Sequence, residues 1–260
     1  MKVIITTVLG LIASASAFTG PQVGRATTAV HETKADLEAL ALELNPVIGY
    51  YDPLNLADAE FWGTSNEATI GFLRHAEIKH GRVAMFAFVG YCVHANGIKF
   101  PWAMQRDGTP FPSETNPPMT WDAVSDAAKW QIFGLIFFLE FWSEFSFGQN
   151  THYMQGGKPG DFPDFTNEIP HPVPFSYYDP FGLAKKMSAE KKQTRLVAEI
   201  NNGRLAMLGI IAFLSAQVVP GSVPALSGIV QPYSGNVMAP FSTNIFSTYL
   251  PKAVAVADSM

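Results

Sequence analysis

The fold is decided by a stretch that occurs twice in the chain. Glu77-Ile78-Lys79-His80-Gly81-Arg82-Val83-Ala84-Met85 is followed much later by Glu199-Ile200-Asn201-Asn202-Gly203-Arg204-Leu205-Ala206-Met207. Seven of the nine positions agree when Val83 and Leu205 are counted as equivalent. A second motif, Tyr-Tyr-Asp-Pro, precedes each copy, at residues 50–53 and again at 177–180. Two motifs repeated in the same order indicate a duplicated structural unit.

Each copy lies in a long proline-free segment that predicts a helix. We expect helices over about 67–96 and 188–219, with a third over about 122–147 between them. Proline-rich stretches at 97–120 and 156–182 read as loops. Thr64 and Glu67 have the spacing of a capping box at the start of the first helix. A helix of about 30 residues is about 45 Å long, which is enough to span a bilayer at a tilt.

Hydropathy alone does not settle the membrane question. The apolar runs in the three segments are shorter than the roughly 18 residues that normally indicate a transmembrane helix. A soluble helical protein therefore remains possible on hydropathy, and the repeated charges decide between the two. The prediction is an all-α membrane protein with three transmembrane helices, in which the first and third form a pseudo-twofold crossed pair.

The charges inside the repeat predict how the two helices cross. If the helices are related by a pseudo-twofold axis, Arg82 can reach Glu199 while Arg204 reaches Glu77. Each pair then cancels its own charge, which lowers the cost of placing four charged groups in an apolar environment. The glycine beside each arginine allows the two backbones to approach closely.

The same helices present a second set of polar atoms. Glu77 and His80 are three residues apart and share a helix face, as do Glu199 and Asn202. Carboxylate, imidazole and amide atoms on an apolar exterior can be axial ligands for Mg²⁺ held in a flat macrocycle, because Mg²⁺ prefers hard ligands.

Composition excludes several other classes of protein. Hydrophobic residues make up 48% of the chain and charged residues 15%, which is too apolar for a disordered protein. The net charge of -5 argues against a nucleic-acid partner. The single cysteine, Cys92, excludes an intramolecular disulfide or a cysteine-cluster metal site.

The N-terminus reads as two targeting signals in series. Residues 1–17 combine Lys2, an apolar run and an Ala-x-Ala site, and they predict a signal peptide. Residues 18–30 contain Arg25 and hydroxyl side chains but no acidic residue, as in a plastid transit segment. The functional domain is expected over 31–260, with a mature chain that starts near residues 28–32.

The repeated helices resemble the two signature helices of the light-harvesting chlorophyll-binding family. The resemblance covers about residues 45–220. The Lys-His-Gly-Arg form of the first copy, the short middle segment and Ala15-Ser16-Ala17-Phe18 are similar to the fucoxanthin chlorophyll a/c-type branch of red-lineage algae.

This resemblance implies roles for particular residues. Ligands to chlorophyll magnesium would be Glu77, His80, Glu199, Asn202 and Glu140, with further pigment ligands at Gln131, Gln217 and His94. The crossed ion-pair partners would be Arg82 and Arg204. The contact between the helix pair and the pigments would include Met85 and Met207. The carotenoid head groups would lie near the residues of the two Asp-Pro motifs, Asp52, Pro53, Asp179 and Pro180.

Some of these histidines and glutamines have alternative interpretations. Gln217 follows Asn202 by 15 residues, one more than the family spacing predicts. His94 could instead cap a turn. His75 lies on another face from Glu77 and could carry an additional pigment. The loop residues His152 and His171 are expected to be solvated.

The function implied by the resemblance is light harvesting. The protein would bind chlorophyll a, chlorophyll c and fucoxanthin or a related carotenoid, and would transfer excitation to the core of photosystem I or II. Its partners would be that core, other antenna subunits and thylakoid lipids. It would be a multi-pass protein of the plastid thylakoid, with a stromal N-terminus and a lumenal C-terminus, because basic residues cluster at 185–195.

Three alternatives remain at this stage. A photoprotective member of the same family would quench excitation with the same ligands. A helical metal-binding membrane enzyme is a second possibility, because Glu-x-x-His is half of a di-iron carboxylate site. A transporter is the third, since internal repeats and intramembrane charges occur in many transporters.

Overall fold

The computed structural model describes residues 32–145, 151–162, 181–182, 186–237 and 239–241. Within these ranges the chain is helical, and none of them contains a β-strand. The predicted signal and transit segments, His171, Asp179 and Pro180 lie outside the described residues.

The described ranges contain three long helices and two shorter ones. The α-helices are α1 (Lys34–Leu44), α2 (Asn66–Ala95), α3 (Pro117–Asp122), α4 (Asp126–Phe145) and α5 (Ala189–Val218). Short 3₁₀ turns lie at Leu56–Asp58, Phe61–Gly63, Tyr153–Gln155 and Pro224–Leu226. The duplicated stretches lie in α2 and α5, which correspond to the helices predicted over 67–96 and 188–219.

The capping box predicted at the start of α2 is wrong by one residue. Ser65 is the N-cap, and its hydroxyl accepts a hydrogen bond from the Ala68 N–H. The Thr64 hydroxyl donates instead to the Phe61 carbonyl at 2.7 Å, closing the preceding 3₁₀ turn. Because the Thr64 hydroxyl is bonded to the preceding turn, Ser65 caps the helix, which starts one residue later.

The middle helix begins four residues after the predicted position. Residue 122 is the last residue of α3, whose first turn is started by two prolines at Pro117 and Pro118. The chain leaves helical geometry briefly before α4 begins at Asp126. The sequence does not indicate this break, because residues 119–126 contain neither proline nor glycine.

Helices α2 and α5 cross at two glycines. A Cβ atom added to Gly203 would lie 2.9 Å from the Gly81 Cα, and one added to Gly81 would lie 3.1 Å from the Gly203 Cα. Real Cβ atoms essentially never approach to 2.9 Å and seldom to 3.1 Å, so the two backbones lie as close as glycine allows. Beside this crossing, α1 packs Leu40 on Ile78 and Ile200 to form a small apolar core.

Much of the apolar surface of the helices is exposed. Along α2 and α5 the exposed side chains include Val83, Phe86, Leu205 and Leu208, and Phe137 of α4 is exposed as well. Among the described helices, α5 is the one that is both long and apolar enough to cross a membrane. Extended apolar helix faces of this size indicate a partner other than water, such as lipid, pigment or protein.

Candidate functional site

Two ion pairs connect α2 and α5 across the glycine crossing. Arg82 Nε lies 2.5 Å from Glu199 Oε1, and Arg204 Nε lies 2.6 Å from Glu77 Oε1. This is the reciprocal exchange that the repeat predicts. Because each arginine comes from the opposite helix, the two pairs fasten the crossing and leave it without net charge.

Each glutamate keeps one oxygen for another use. Both arginines donate to Oε1, and neither Oε2 accepts a hydrogen bond from a described residue. The side chains of Glu77 and Glu199 are 29% and 31% exposed. An electrically balanced carboxylate with an open oxygen is a suitable hard ligand for Mg²⁺.

His80 and Asn202 complete the two ligand pairs. The Nδ1–H of His80 donates to the Ala76 carbonyl at 2.7 Å, so the lone pair of Nε2 points away from its own helix. Histidine metal ligands are commonly oriented by such a bond from the other ring nitrogen. The exposed Asn202 side-chain amide makes no hydrogen bond with a described residue. All four candidate ligands therefore fit a magnesium macrocycle by their donor chemistry.

A groove of about 680 Å³ lies beside the first ligand pair. It is bounded by α1, the loop around residues 48–57, α2 and α5, and Glu77, His80, Arg204 and Met207 are among its lining residues. Residues of both repeats therefore line the same groove. Met85, the counterpart of Met207, is half-buried on α2.

The Asp-Pro loop forms one wall of this groove. Asp52 accepts backbone hydrogen bonds from Leu56 at 2.9 Å and Ala57 at 3.0 Å, and the Tyr50 hydroxyl donates to it at 3.1 Å. These bonds, led by the one from Ala57, hold the pKa of Asp52 below its usual value. Asp52 thus shapes the loop through its charge, while Pro53 is exposed beside it.

The segment 151–162 supports the crossing from outside. Arg82 Nη1 donates to the Gly160 carbonyl at 2.5 Å, and the Gly160 N–H donates to His75 Nδ1 at 3.1 Å. Gly160 has a φ of +75°, and a Cβ there would lie 2.7 Å from an Ile78 methyl carbon. Glycine is required at this contact, and no motif in the sequence indicates it.

Two described histidines outside the ligand set, His75 and His152, have structural contacts. Buried His75 stacks on Tyr153 with ring centroids 3.9 Å apart. Its Nδ1 accepts a hydrogen bond, so the neutral ring carries its proton on Nε2 and offers no lone pair to a metal. His152, expected to be solvated, instead contacts Glu144 through Nε2 at 3.3 Å.

The remaining candidate ligands lie elsewhere on the helices. Gln131 and Glu140 are exposed on α4, and Lys79 Nζ lies 2.5 Å from Glu140 Oε2. His94 borders a smaller pocket of about 220 Å³ near the end of α2. Gln217 is 1% exposed and donates to Asn116 Oδ1 at 2.8 Å, so its amide is turned into the protein.

Comparison with known proteins identifies the family. The family described as "Chlorophyll A-B binding protein" matches residues 37–218, which include the groove and both ion pairs. The chain belongs to this family. It is a family of light-harvesting chlorophyll-binding antennas and not of enzymes, so the metal-enzyme alternative is removed. Among the described residues, no group of three or more His, Cys, Asp or Glu side chains could hold a metal ion.

Curated relatives include proteins of three organisms. Fucoxanthin-chlorophyll a-c binding protein F of Phaeodactylum tricornutum is 32% identical over 205 residues, 78% of this chain and 90% of the relative. The fucoxanthin-chlorophyll a-c binding protein of Trieres chinensis is 31% identical over 217 residues, with 82% and 94% covered. Protein B of Macrocystis pyrifera is 30% identical over 202 residues, with 76% and 81% covered.

Proposed function

We propose that this protein harvests light by holding chlorophyll a, chlorophyll c and a fucoxanthin-type carotenoid and by directing their excitation to a photosystem. The observation that carries the proposal is the pair of neutral Glu–Arg crossings, each of which leaves one carboxylate oxygen open. The similar proteins of Phaeodactylum tricornutum, Trieres chinensis and Macrocystis pyrifera are named for binding fucoxanthin and chlorophylls a and c, which supports the choice of pigments.

The ligands proposed for chlorophyll magnesium are side chains of the three long helices. Four of them belong to the crossing and the fifth to α4: Glu77, His80, Glu199, Asn202 and Glu140. Gln131 and His94 are proposed as further ligands. Gln217 would have to turn away from Asn116 before it could serve. When bound, the pigments supply light absorption and excitation transfer, while the protein fixes their spacing, orientation and electrostatic surroundings.

The Asp-Pro loops are proposed to hold carotenoid head groups. Asp52 lines the large groove, with Pro53 next to it in the chain, and an elongated apolar molecule could follow α2 and α5 from there beyond the ion pairs. Met207 faces this groove and gives it a polarizable apolar surface. The repeat predicts a related arrangement for Asp179, Pro180 and Met85.

We place α2, α4 and α5 across the thylakoid membrane of the plastid. The exposed apolar side chains of all three helices support this placement. Lys186, Lys191, Lys192 and Arg195 cluster before and within the first turns of α5, which supports a stromal position for that end. The N-terminus is then stromal and the C-terminus lumenal, with residues 1–17 and 18–30 acting as targeting signals. A photosystem core and other antenna subunits are the proposed partners.

His80→Ala tests the pigment assignment. The variant is expected to lose roughly one chlorophyll per chain, because a single magnesium loses its axial ligand while both ion pairs remain. Pigment extraction from protein purified gently from its native membrane measures the ratio of chlorophyll to polypeptide. Lys192→Ala, an exposed residue of α5, is the control and should keep the wild-type ratio. An unchanged ratio in His80→Ala would remove His80 from the ligands.

A further inference from the structure

We propose that Lys79 is a positioning residue that neutralises the Glu140 carboxylate and so prepares it as the magnesium ligand of α4. This inference rests on the proposed function. Lys79 lies on α2 between Glu77 and His80, and its side chain is 24% exposed. Its Nζ lies 2.5 Å from Glu140 Oε2, so the bridge connects the crossed pair to the middle helix.

Glu140 meets the same conditions as the two glutamates of the crossing. It is 54% exposed, one oxygen is held by a cation from another helix, and the other accepts no hydrogen bond from a described residue. A carboxylate in an apolar environment is costly without a compensating charge. The close Lys79 ammonium compensates the charge of Glu140 and leaves its other oxygen available to a metal.

The helix that carries Glu140 does not supply this cation itself. Lys129 is the single Lys or Arg in α4, and it precedes Glu140 by 11 residues. That separation is about 16 Å along the helix axis, which is too far for a direct contact. Among the ion pairs of the described residues, the cation beside Glu140 is Lys79 of α2.

A second carboxylate fixes the position of Lys79. Glu144 Oε1 lies 3.7 Å from Lys79 Nζ, while Glu144 Oε2 accepts hydrogen bonds from the Tyr153 hydroxyl at 2.9 Å and His152 Nε2 at 3.3 Å. Tyr153 stacks in turn on His75, one helical turn before Lys79. Glu144 is thus held by the 151–162 segment, and the ammonium group is directed to Glu140.

The two copies of the repeat differ at the position of Lys79. Among the described contacts, only the first copy has a cation there that pairs with a carboxylate of α4. The position equivalent to Lys79 is Asn201, whose amide donates to the Leu44 carbonyl of α1 at 3.2 Å. The two copies differ where their neighbours differ: the first faces a carboxylate on α4 and the second faces the backbone of α1. A duplicated scaffold thus carries a different contact at the same position of each copy.

Four variants separate ligand preparation from simple helix fastening. Lys79→Met leaves Glu140 uncompensated, and Lys79→Arg keeps the charge. Glu140→Gln keeps an uncharged amide oxygen that can still bind magnesium, and its Lys79 can still pair with Glu144. Lys79→Met combined with Glu140→Gln removes both charges of the bridge and keeps the ligand oxygen, while Glu144 keeps its hydrogen bonds from Tyr153 and His152. Loss of an outer partner of a metal ligand typically lowers metal affinity by about 10–100-fold.

The readouts are chlorophyll per polypeptide and visible circular dichroism of full-length protein purified from its native membrane. We expect Lys79→Met to lose roughly one chlorophyll and its dichroic band, because one magnesium ligand is affected. Lys79→Arg should retain both, and the double variant should recover both. Lys192→Met, which removes an exposed charge on α5, is the matched control and should resemble the wild type.

Two results would overturn the proposal. One is a full chlorophyll complement in Lys79→Met, which would make the bridge irrelevant to pigment binding. The other is a double variant that stays as deficient as Lys79→Met, which would make the bridge a helix fastener whose loss cannot be compensated. A wild-type protein without chlorophyll would instead refute the proposed function, so the two failures are distinguishable.

Discussion

Arg82→Leu is expected to prevent accumulation of the pigmented protein. The change leaves Glu199 without its partner in an apolar environment and removes the bond to the Gly160 carbonyl. Arg82 and Glu199 are 41% and 31% exposed in the protein alone, so the pair is fully shielded from water only in the proposed membrane setting. Removing one partner of a pair shielded in this way costs about 3–5 kcal/mol. That is a large part of the stability of a typical domain, so the loss should appear both in pigment yield and in thermal unfolding followed by visible circular dichroism.

The matched control is Arg195→Leu. Arg195 is exposed on the same helix as Glu199, and the substitution removes the same charge and adds the same apolar side chain. It should assemble with wild-type pigment content. If Arg82→Leu also kept normal pigment content and thermal stability, the crossed ion pairs would not be what holds the two helices together.

Gly203→Leu is expected to separate α2 from α5. Even the Cβ atom would lie 2.9 Å from the Gly81 Cα, and the rest of the side chain would need space that the opposing backbone occupies. Overpacking a tight contact typically costs 1–3 kcal/mol, and a clash with rigid backbone should cost about 3 kcal/mol or more. The shift would also pull apart the arginine–glutamate pairs on both sides.

Gly134→Leu provides the comparison for this prediction. Gly134 lies in α4, and a Cβ there meets no atom within 4 Å. Both variants replace a helical glycine with leucine, which favours helix formation, so any difference between them reports the space available. Thermal unfolding of the two purified proteins measures it. Equal melting temperatures would show that α2 and α5 do not need close approach.

The crossing of α2 and α5 could be predicted from the sequence because the residues that form it occur in both copies of the repeat. A glutamate, a glycine and an arginine at the same spacing in two apolar helices leave few ways to pair the charges. The structure places Arg82 beside Glu199 and Arg204 beside Glu77, as that reasoning requires. Helix length followed from the absence of proline in both segments.

Contacts outside the repeat could not be predicted in the same way. Lys79 and Glu140 are separated by 61 residues, and Arg82 and Gly160 by 78, with no duplicated partner to indicate either contact. Gln217 shows the opposite problem. The family resemblance implies a pigment ligand at Gln217, although its distance from Asn202 is one residue too long. The Gln217 amide instead donates to Asn116 from the proline-rich loop, and nothing in the local pattern indicates that contact.

The excitation spectrum of chlorophyll a fluorescence, recorded on protein purified gently from its native membrane, tests the central claim most directly. We predict that light absorbed by carotenoid and chlorophyll c appears in this spectrum, because the proposed function requires these pigments to lie close enough to chlorophyll a for excitation to pass. A pigmented protein whose fluorescence is strongly quenched would be a photoprotective member of the family instead. A stably folded, colourless protein would contradict the account altogether.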